Sequence, residues 1–426
     1  MHLNHRFLPV PLAALALGCA SLLPAADLGS IAIHGAVSAT AAVSERYNYL
    51  GETKGSPALN VVEAIINGSH RFDGGLAASA QLYAYEVDNY SDLALDFAAL
   101  SYSFGPSLGL RAGRIKRPAG LYGEVQDIDF VRPFAFLPLD FYQKTLRPIT
   151  ASYDGAALFG TLPLGAAGSL DYQAGYGYLP RIASETAYLR NASQNTPNHV
   201  DRFDGDTVSS IWVAWNLPLD GLRGVYSRND SRNFTLSGEM KTAAQLALAP
   251  GSARLIPLAF PAGAWDFMVA GQPAAINGHS LRETFSVEYV RGDWEWAVEY
   301  QLTTNDVTMQ FPAPLGANRS QTRQESYYAM ASWQAGSRWQ LGAYYGEAYN
   351  DRNDRRGRQV VVAPSHTAWL KDGCVAASYS ATDWWLVKAE VHVLNGTLGV
   401  PSYNNRDVTT WKPDWTYFVL KNTISF

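Results

Sequence analysis

Seven basic residues are gathered in one stretch of this 426-residue chain: Arg111, Arg114, Lys116, Arg117, Arg132, Lys144 and Arg147. Glu124, Asp127, Asp129 and Asp140 stand among them. Cations grouped on a low-dielectric wall focus a field that draws in anions. The competing reading is that they pair with the neighbouring carboxylates and fasten the stretch in place. Strand alternation cannot put Arg111 and Arg114 on one face without a bulge, and Gly113 is where a bulge would sit.

Other combinations carry less. Asp201, Asp204 and Asp206 lack the spacing and closing Glu of a calcium loop. The charged run Asp351–Arg358 suits either a solvated loop tip or contact with lipopolysaccharide phosphates. A hydrolase would need Ser or Asp beside His, and alternation merely points His34 and His392 to one inner face. With no nucleophile motif, phosphate loop or metal-spaced cluster, the expectation is no catalytic residue, no metal and no cofactor.

The basic stretch needs a scaffold. Pro118, Pro133, Pro138 and Pro148 exclude a long helix or a central strand between Arg114 and Pro148. Leu121, Tyr122, Phe130, Phe134, Phe136, Phe141 and Tyr142 give it more apolar surface than a solvated loop needs. Loops of this length are usually functional. The expectation is a loop folded against the inside of a wall.

The chain opens with a short basic start, an apolar run from Phe7 to Leu17 and then small residues. This reads as a signal peptide over residues 1–26, cleaved after Ala26 or Ala20, with residues 27–426 as one domain. Leu17-Gly18-Cys19 has some likeness to a lipidation site. Beyond the leader only Cys374 remains, so disulfides do not hold the fold. The net charge of −5 argues against bulk nucleic-acid binding. No later segment has the ~18 uninterrupted apolar residues of a helical span.

Alternating runs occupy most of the remainder. Trp294, Trp296, Val298, Tyr300 and Leu302 oppose Glu295, Glu299, Gln301 and Thr303. Trp385, Val387, Ala389, Val391 and Val393 oppose Lys388, Glu390 and His392. A period of two means that one face meets an apolar medium and the other meets water. The last run places Phe418, Leu420, Ile424 and Phe426 on one face. Sixteen such strands can be counted, with fourteen or eighteen the neighbouring counts, and short turns alternate with long loops. The fold class is all-β, a transmembrane antiparallel barrel. Backbone polar groups within lipid must all be paired, which requires a closed sheet.

In this layout Arg114–Pro148 becomes the third long loop. The run GRIKRPAGLYGEVQDIDFVRPFAFLP, Gly113–Pro138, resembles a segment of Gram-negative outer-membrane porins allied to the phosphate-selective type. Phe418, Leu420, Ile424 and Phe426 resemble the C-terminal assembly signal of such barrels. The resemblance implies a homotrimeric diffusion channel in the outer membrane, assembled by the barrel-assembly machinery among lipid and lipopolysaccharide. Small hydrophilic solutes or anions would pass, and the third loop would fold inward. The charges in and beside that loop, Arg111, Arg114, Lys116, Arg117, Glu124, Asp127, Arg132, Lys144 and Arg147, are the candidates for the pore constriction and its selectivity. The rival classes are a barrel-based adhesin or export conduit and a barrel hydrolase.

Overall fold

The computed structural model describes residues 31–426 apart from 88–89, 140, 183–185, 195, 248–259, 262, 362, 403 and 406. Residues 1–26, read from the sequence as a signal peptide, and Asp140 lie outside the described residues. Among those described, no helix is long and apolar enough to cross a membrane, which leaves open a crossing by strands.

One antiparallel sheet closes on itself. Its strands are β1 (Ile31–Ser44), β2 (Ala58–Arg71), β3 (Leu76–Val87), β4 (Tyr90–Gly105) and β5 (Leu108–Lys116). After the basic segment come β6 (Ser152–Pro163) and β7 (Ser169–Tyr178), then β8 in two pieces, Asn198–Asp204 and Thr207–Asn216. The second half holds β9 (Leu222–Met240), β10 (Pro273–Arg291), β11 (Trp294–Gln310) and β12 (Ala317–Ala335). It ends with β13 (Trp339–Tyr349), β14 (Trp369–Ser380), β15 (Trp385–Gly396) and β16 (Asp414–Ser425). Both pieces of β8 run antiparallel to β9, with Asp204 opposite Thr235 and Val208 opposite Ser231. They are one broken stave, so the barrel has sixteen. Pairing of β1 with β16, from Ala36–Ser425 to Ser44–Tyr417, closes the ring.

Each strand divides its residues as the alternation requires. On β15, Val391 and Val393 are exposed while Lys388, Glu390 and His392 are buried. On β16, Phe418 and Leu420 face out and Lys421 and Thr423 face in. Trp294, Trp296, Trp333, Trp339, Trp384 and Trp385 are exposed beside the short turns. Their amphipathic rings suit a membrane interface. Trp294 stacks on Trp296 and Trp333 at 5.8 and 5.9 Å.

Several strands run beyond the limits read from alternation. Alternation marks strands over Leu222–Leu236, Arg282–Val290 and Thr322–Trp333, but in the structure β9 continues to Met240, β10 begins at Pro273 and β12 begins at Ala317. Residues such as Asn277, Thr308 and Ser320 still pair across their ladders. An apolar stripe marks only strand that touches lipid, and it disappears where both faces meet water. The polar stretch Pro180–Gly205, which shows no alternation and reads as loop, contains a helix (Ala187–Gln194) and the first piece of β8.

Candidate functional site: the segment between β5 and β6

Residues 117–151 carry only short turns of helix. Their polar contacts reach strands on every side of the ring. Arg117 donates to Asn229 Oδ1 and Ser231 Oγ on β9, both at 2.8 Å. The Leu121 amide and Tyr142 hydroxyl donate to Glu299 on β11 at 2.8 and 2.5 Å. Tyr328 and Ser286 donate to the same carboxylate, and Tyr122 Oη donates to Glu295 at 2.6 Å. Phe141 and Phe134 pack edge-on against Tyr328 of β12 and Tyr344 of β13.

On β15, Lys388 Nζ donates to the carbonyls of Asp129, Arg132 and Phe134 at 2.5, 2.8 and 2.8 Å. Glu390 accepts from the Ala135 and Phe136 amides. Asp129 accepts from Lys421 and Thr423 of β16 at 2.9 and 2.8 Å. Lys144 meets Glu63 of β2 at 2.6 Å. Arg147 meets Asp96 of β4 at 2.8 Å and lies over the Tyr83 ring of β3 at 4.0 Å. The strand partners occupy the positions that alternate with exposed apolar residues, so they face the lumen.

The predicted site residues separate by partner. Lys116 Nζ lies 3.2 Å from Asp127 and 3.4 Å from Asp96, and Arg147 lies 2.5 Å from Asp127. Arg132, buried, donates to the carbonyls of Ile128 and Gln126 and meets Asp129 at 3.5 Å. Arg114 holds both oxygens of Asp154 at 2.7 and 2.8 Å. No register shift occurs at Gly113 in either ladder, so no bulge brings Arg111 and Arg114 onto one face. Gly113 instead takes φ +125°, where a Cβ would stand 2.3 Å from the Ala98 carbonyl oxygen. Arg114 shares the outer face of Leu108 and Leu110, and Arg111 faces inward.

Among the described residues, two of the predicted cations form no ion pair with a carboxylate. Arg111 donates to Ser101 Oγ and Gln173 Oε1 and lies 5.0 Å from the Phe159 ring centre. Arg117 has only neutral acceptors: Asn229, Ser231 and the Ile149 carbonyl. Burial, and next the Arg282 charge, push its pKa down to about 9. Arg282, missed in the sequence, stands directly across the ladder from Asn229. Among the described residues no hydrogen bond or ion pair to Arg282 is found. Its signal was an inward position shared with Thr284 and Ser286.

The acids are held differently. Burial opposes ionisation of Asp129, but Lys421, Lys388 and Arg132 outweigh it and lower its pKa to about 2. Burial likewise works against Asp127, and Arg147 and Lys116 overcome it to lower its pKa. Burial raises the pKa of Glu124.

No protein-family model matches the chain, and no curated protein matches it in sequence. Solved structures do match in shape. The outer-membrane protein OmpT of Vibrio cholerae superposes with a TM-score of 0.54 at 12% identity, covering 96% of this chain and 100% of that one. This is the fold of an outer-membrane porin. The anion-selective porin of Comamonas acidovorans gives 0.51 at 12% identity over 93% and 99% of the two chains. Salmonella typhi OmpF, in complex with daunomycin, gives 0.53 at 12% identity over 93% and 97%. The same barrel therefore arises with few residues in common, as expected when alternation and closure, and not particular side chains, define it.

Two of the remaining charged candidates are paired locally. Asp204 is paired with Arg181 and Arg202 at 3.0 and 2.6 Å. Arg355 of the Asp351–Arg358 run meets Glu325 at 2.5 Å.

Proposed function

We propose that this chain is a passive diffusion channel of the outer membrane for small hydrophilic solutes, with a preference for anions. The observation that carries this reading is the closed sixteen-stranded barrel, wide enough to keep an aqueous lumen that side chains alone do not fill. The basic segment is the inward-folded third long loop. Support for that placement comes from its bonds to lumen-facing residues on β2, β4, β9, β11, β15 and β16.

The anion preference rests on Arg111, Arg117 and Arg282. A guanidinium hydrogen-bonded only to neutral acceptors keeps more of its field than a cation in direct contact with a carboxylate, which loses most of it to the partner. Lys116, Arg132, Lys144 and Arg147 fasten the loop, Arg114 braces β5 against β6, and Glu124 and Asp127 complete the constriction wall. The phosphate-type likeness concerns one segment, so the solute class we infer is small anions in general.

The barrel sits in lipid and lipopolysaccharide as a multi-pass protein. Phe418, Leu420, Ile424 and Phe426 form the outward stripe that the assembly machinery would read. The low-relief outer face of β1–β3, with Ala39, Ala41, Ala64, Ala78, Ala80 and Ala84, suits packing against neighbouring copies in a homotrimer. Planar-bilayer recording tests the function. Stepwise single-channel conductance, with a reversal potential of anionic sign in a salt gradient, is expected. Absence of conductance from folded protein would refute it.

A further inference from the structure

Beneath the Phe134–Phe136 turn, inward side chains of β14 and β15 form a cluster of a different kind. Cys374 and His392 are direct cross-strand partners, and Asp372 and Glu390 lie two residues from them on their own strands. All four are buried. His392 Nδ1 lies 3.0 Å from Asp372 Oδ1, while Nε2 is turned to Glu390 Oε2 at 3.3 Å and Cys374 Sγ at 3.8 Å. One ligand atom from each of Cys374, Glu390 and His392 lies within 4.8 Å of the others.

We propose that Cys374 Sγ, His392 Nε2 and Glu390 Oε2 bind one divalent metal ion of the zinc class. Tetrahedral bonds of about 2.3 Å to sulfur and about 2.0 Å to nitrogen and oxygen require N···O and S···N edges of roughly 3.3 and 3.6 Å. The observed separations, 3.3 and 3.8 Å, are already close to these. The mixed sulfur, nitrogen and oxygen set favours zinc over magnesium or calcium. An outer layer is also in place. Asp372 accepts the Nδ1 proton, the carboxylate–histidine arrangement that orients metal-binding imidazoles. The Ala135 and Phe136 amides hold Glu390.

Binding through Cys374 Sγ and His392 Nε2 takes a thiolate and an unprotonated Nε2, so uptake of the ion releases protons to solvent. Once bound, the ion ties the wall to the loop, because Glu390 serves both. This inference stands apart from the channel reading and depends only on the fold.

The test uses the chain folded in detergent micelles with Cys19 replaced by Ser, so that Cys374 is the sole thiol. After loading with zinc and dialysis, we expect close to one zinc per chain and release of protons on binding. Cobalt should give a near-ultraviolet thiolate charge-transfer band. Cys374→Ala and His392→Ala should weaken zinc binding at least tenfold, and Asp372→Asn about 10-fold to 100-fold. No zinc retained by the Cys19→Ser chain, or bound cobalt without the thiolate band, overturns the proposal. Both readings are available on that chain even if the variants do not fold.

Discussion

Phe426 and Gly35 exchange backbone hydrogen bonds, the Phe426 amide to the Gly35 carbonyl at 2.9 Å and the Gly35 amide to the Phe426 carbonyl at 3.0 Å. They extend the β1–β16 closure to its end. The Phe426 ring lies over Gly35, where a Cβ would come within 2.2 Å of a ring carbon. Gly35→Leu should therefore displace the ring and lower the fraction of heat-resistant, fast-migrating barrel on gels. Phe426→Ser leaves the backbone bonds but removes the ring and the end of the outward stripe. It should reduce assembled protein in the outer membrane without reducing export. Wild-type levels of both variants would show that this contact does not matter for assembly.

The carboxylate of Asp129 ties the loop to β16, and its lowered pKa gives that tie a pH dependence. Its folded pKa, about 2, lies below the ordinary value of about 3.9. The stabilisation is thus complete above about pH 4 and is lost as pH falls towards about 2. Asp127 is shifted in the same direction. The Asp129 contribution, read as the difference in thermal midpoint in detergent between wild type and Asp129→Asn, should be constant above about pH 4 and shrink below it. Asp129→Asn should lower the midpoint at pH 7. Breaking a buried pair typically costs about 3–5 kcal/mol. A variant with the wild-type profile would remove Asp129 from the account.

Selectivity should follow the cations that lack carboxylates. Replacing Arg111, Arg117 and Arg282 with Gln should lower the anion-to-cation permeability ratio several-fold at low salt. The effect should shrink towards 1 M salt, where the Debye length is about 3 Å. The corresponding change at Arg114 should leave the ratio near wild type, because Asp154 already neutralises it. Reversal potentials that move with Arg114 and not with the other three would reverse this assignment.

Deleting Gly120–Leu139 should raise single-channel conductance by opening the constriction. It also strands Lys388, whose three carbonyl partners lie within the deleted stretch, and takes the Ala135 and Phe136 amides from Glu390 and the Leu121 amide from Glu299. The deletion should therefore lower thermal stability, and adding Lys388→Met should recover part of the loss. Unchanged conductance in the assembled deletion variant would show that the loop does not narrow the pore.

Much of the fold was legible because a barrel in lipid is specified by a local rule. Each lipid-facing residue must be apolar and each lumenal neighbour is free to be polar, so a period of two records both strand and face. Phe418, Leu420, Ile424 and Phe426 show this, as do Trp294, Trp296 and Val298. The rule lapses where strands leave the membrane, and for that reason the ends of β9, β10 and β12 were misplaced. It is equally silent about partners. Arg114 and Lys144 look alike in sequence, yet one meets Asp154 on the adjacent strand and the other meets Glu63 on β2. Glu390, more than 250 positions from Ala135, holds that loop amide because closure brings β15 beneath it. The sequence by itself determined which residues are charged and which face of a strand they occupy. Only the tertiary structure decided which charges are neutralised, because that depends on distances of a few ångströms set by ring closure and by the path of the loop.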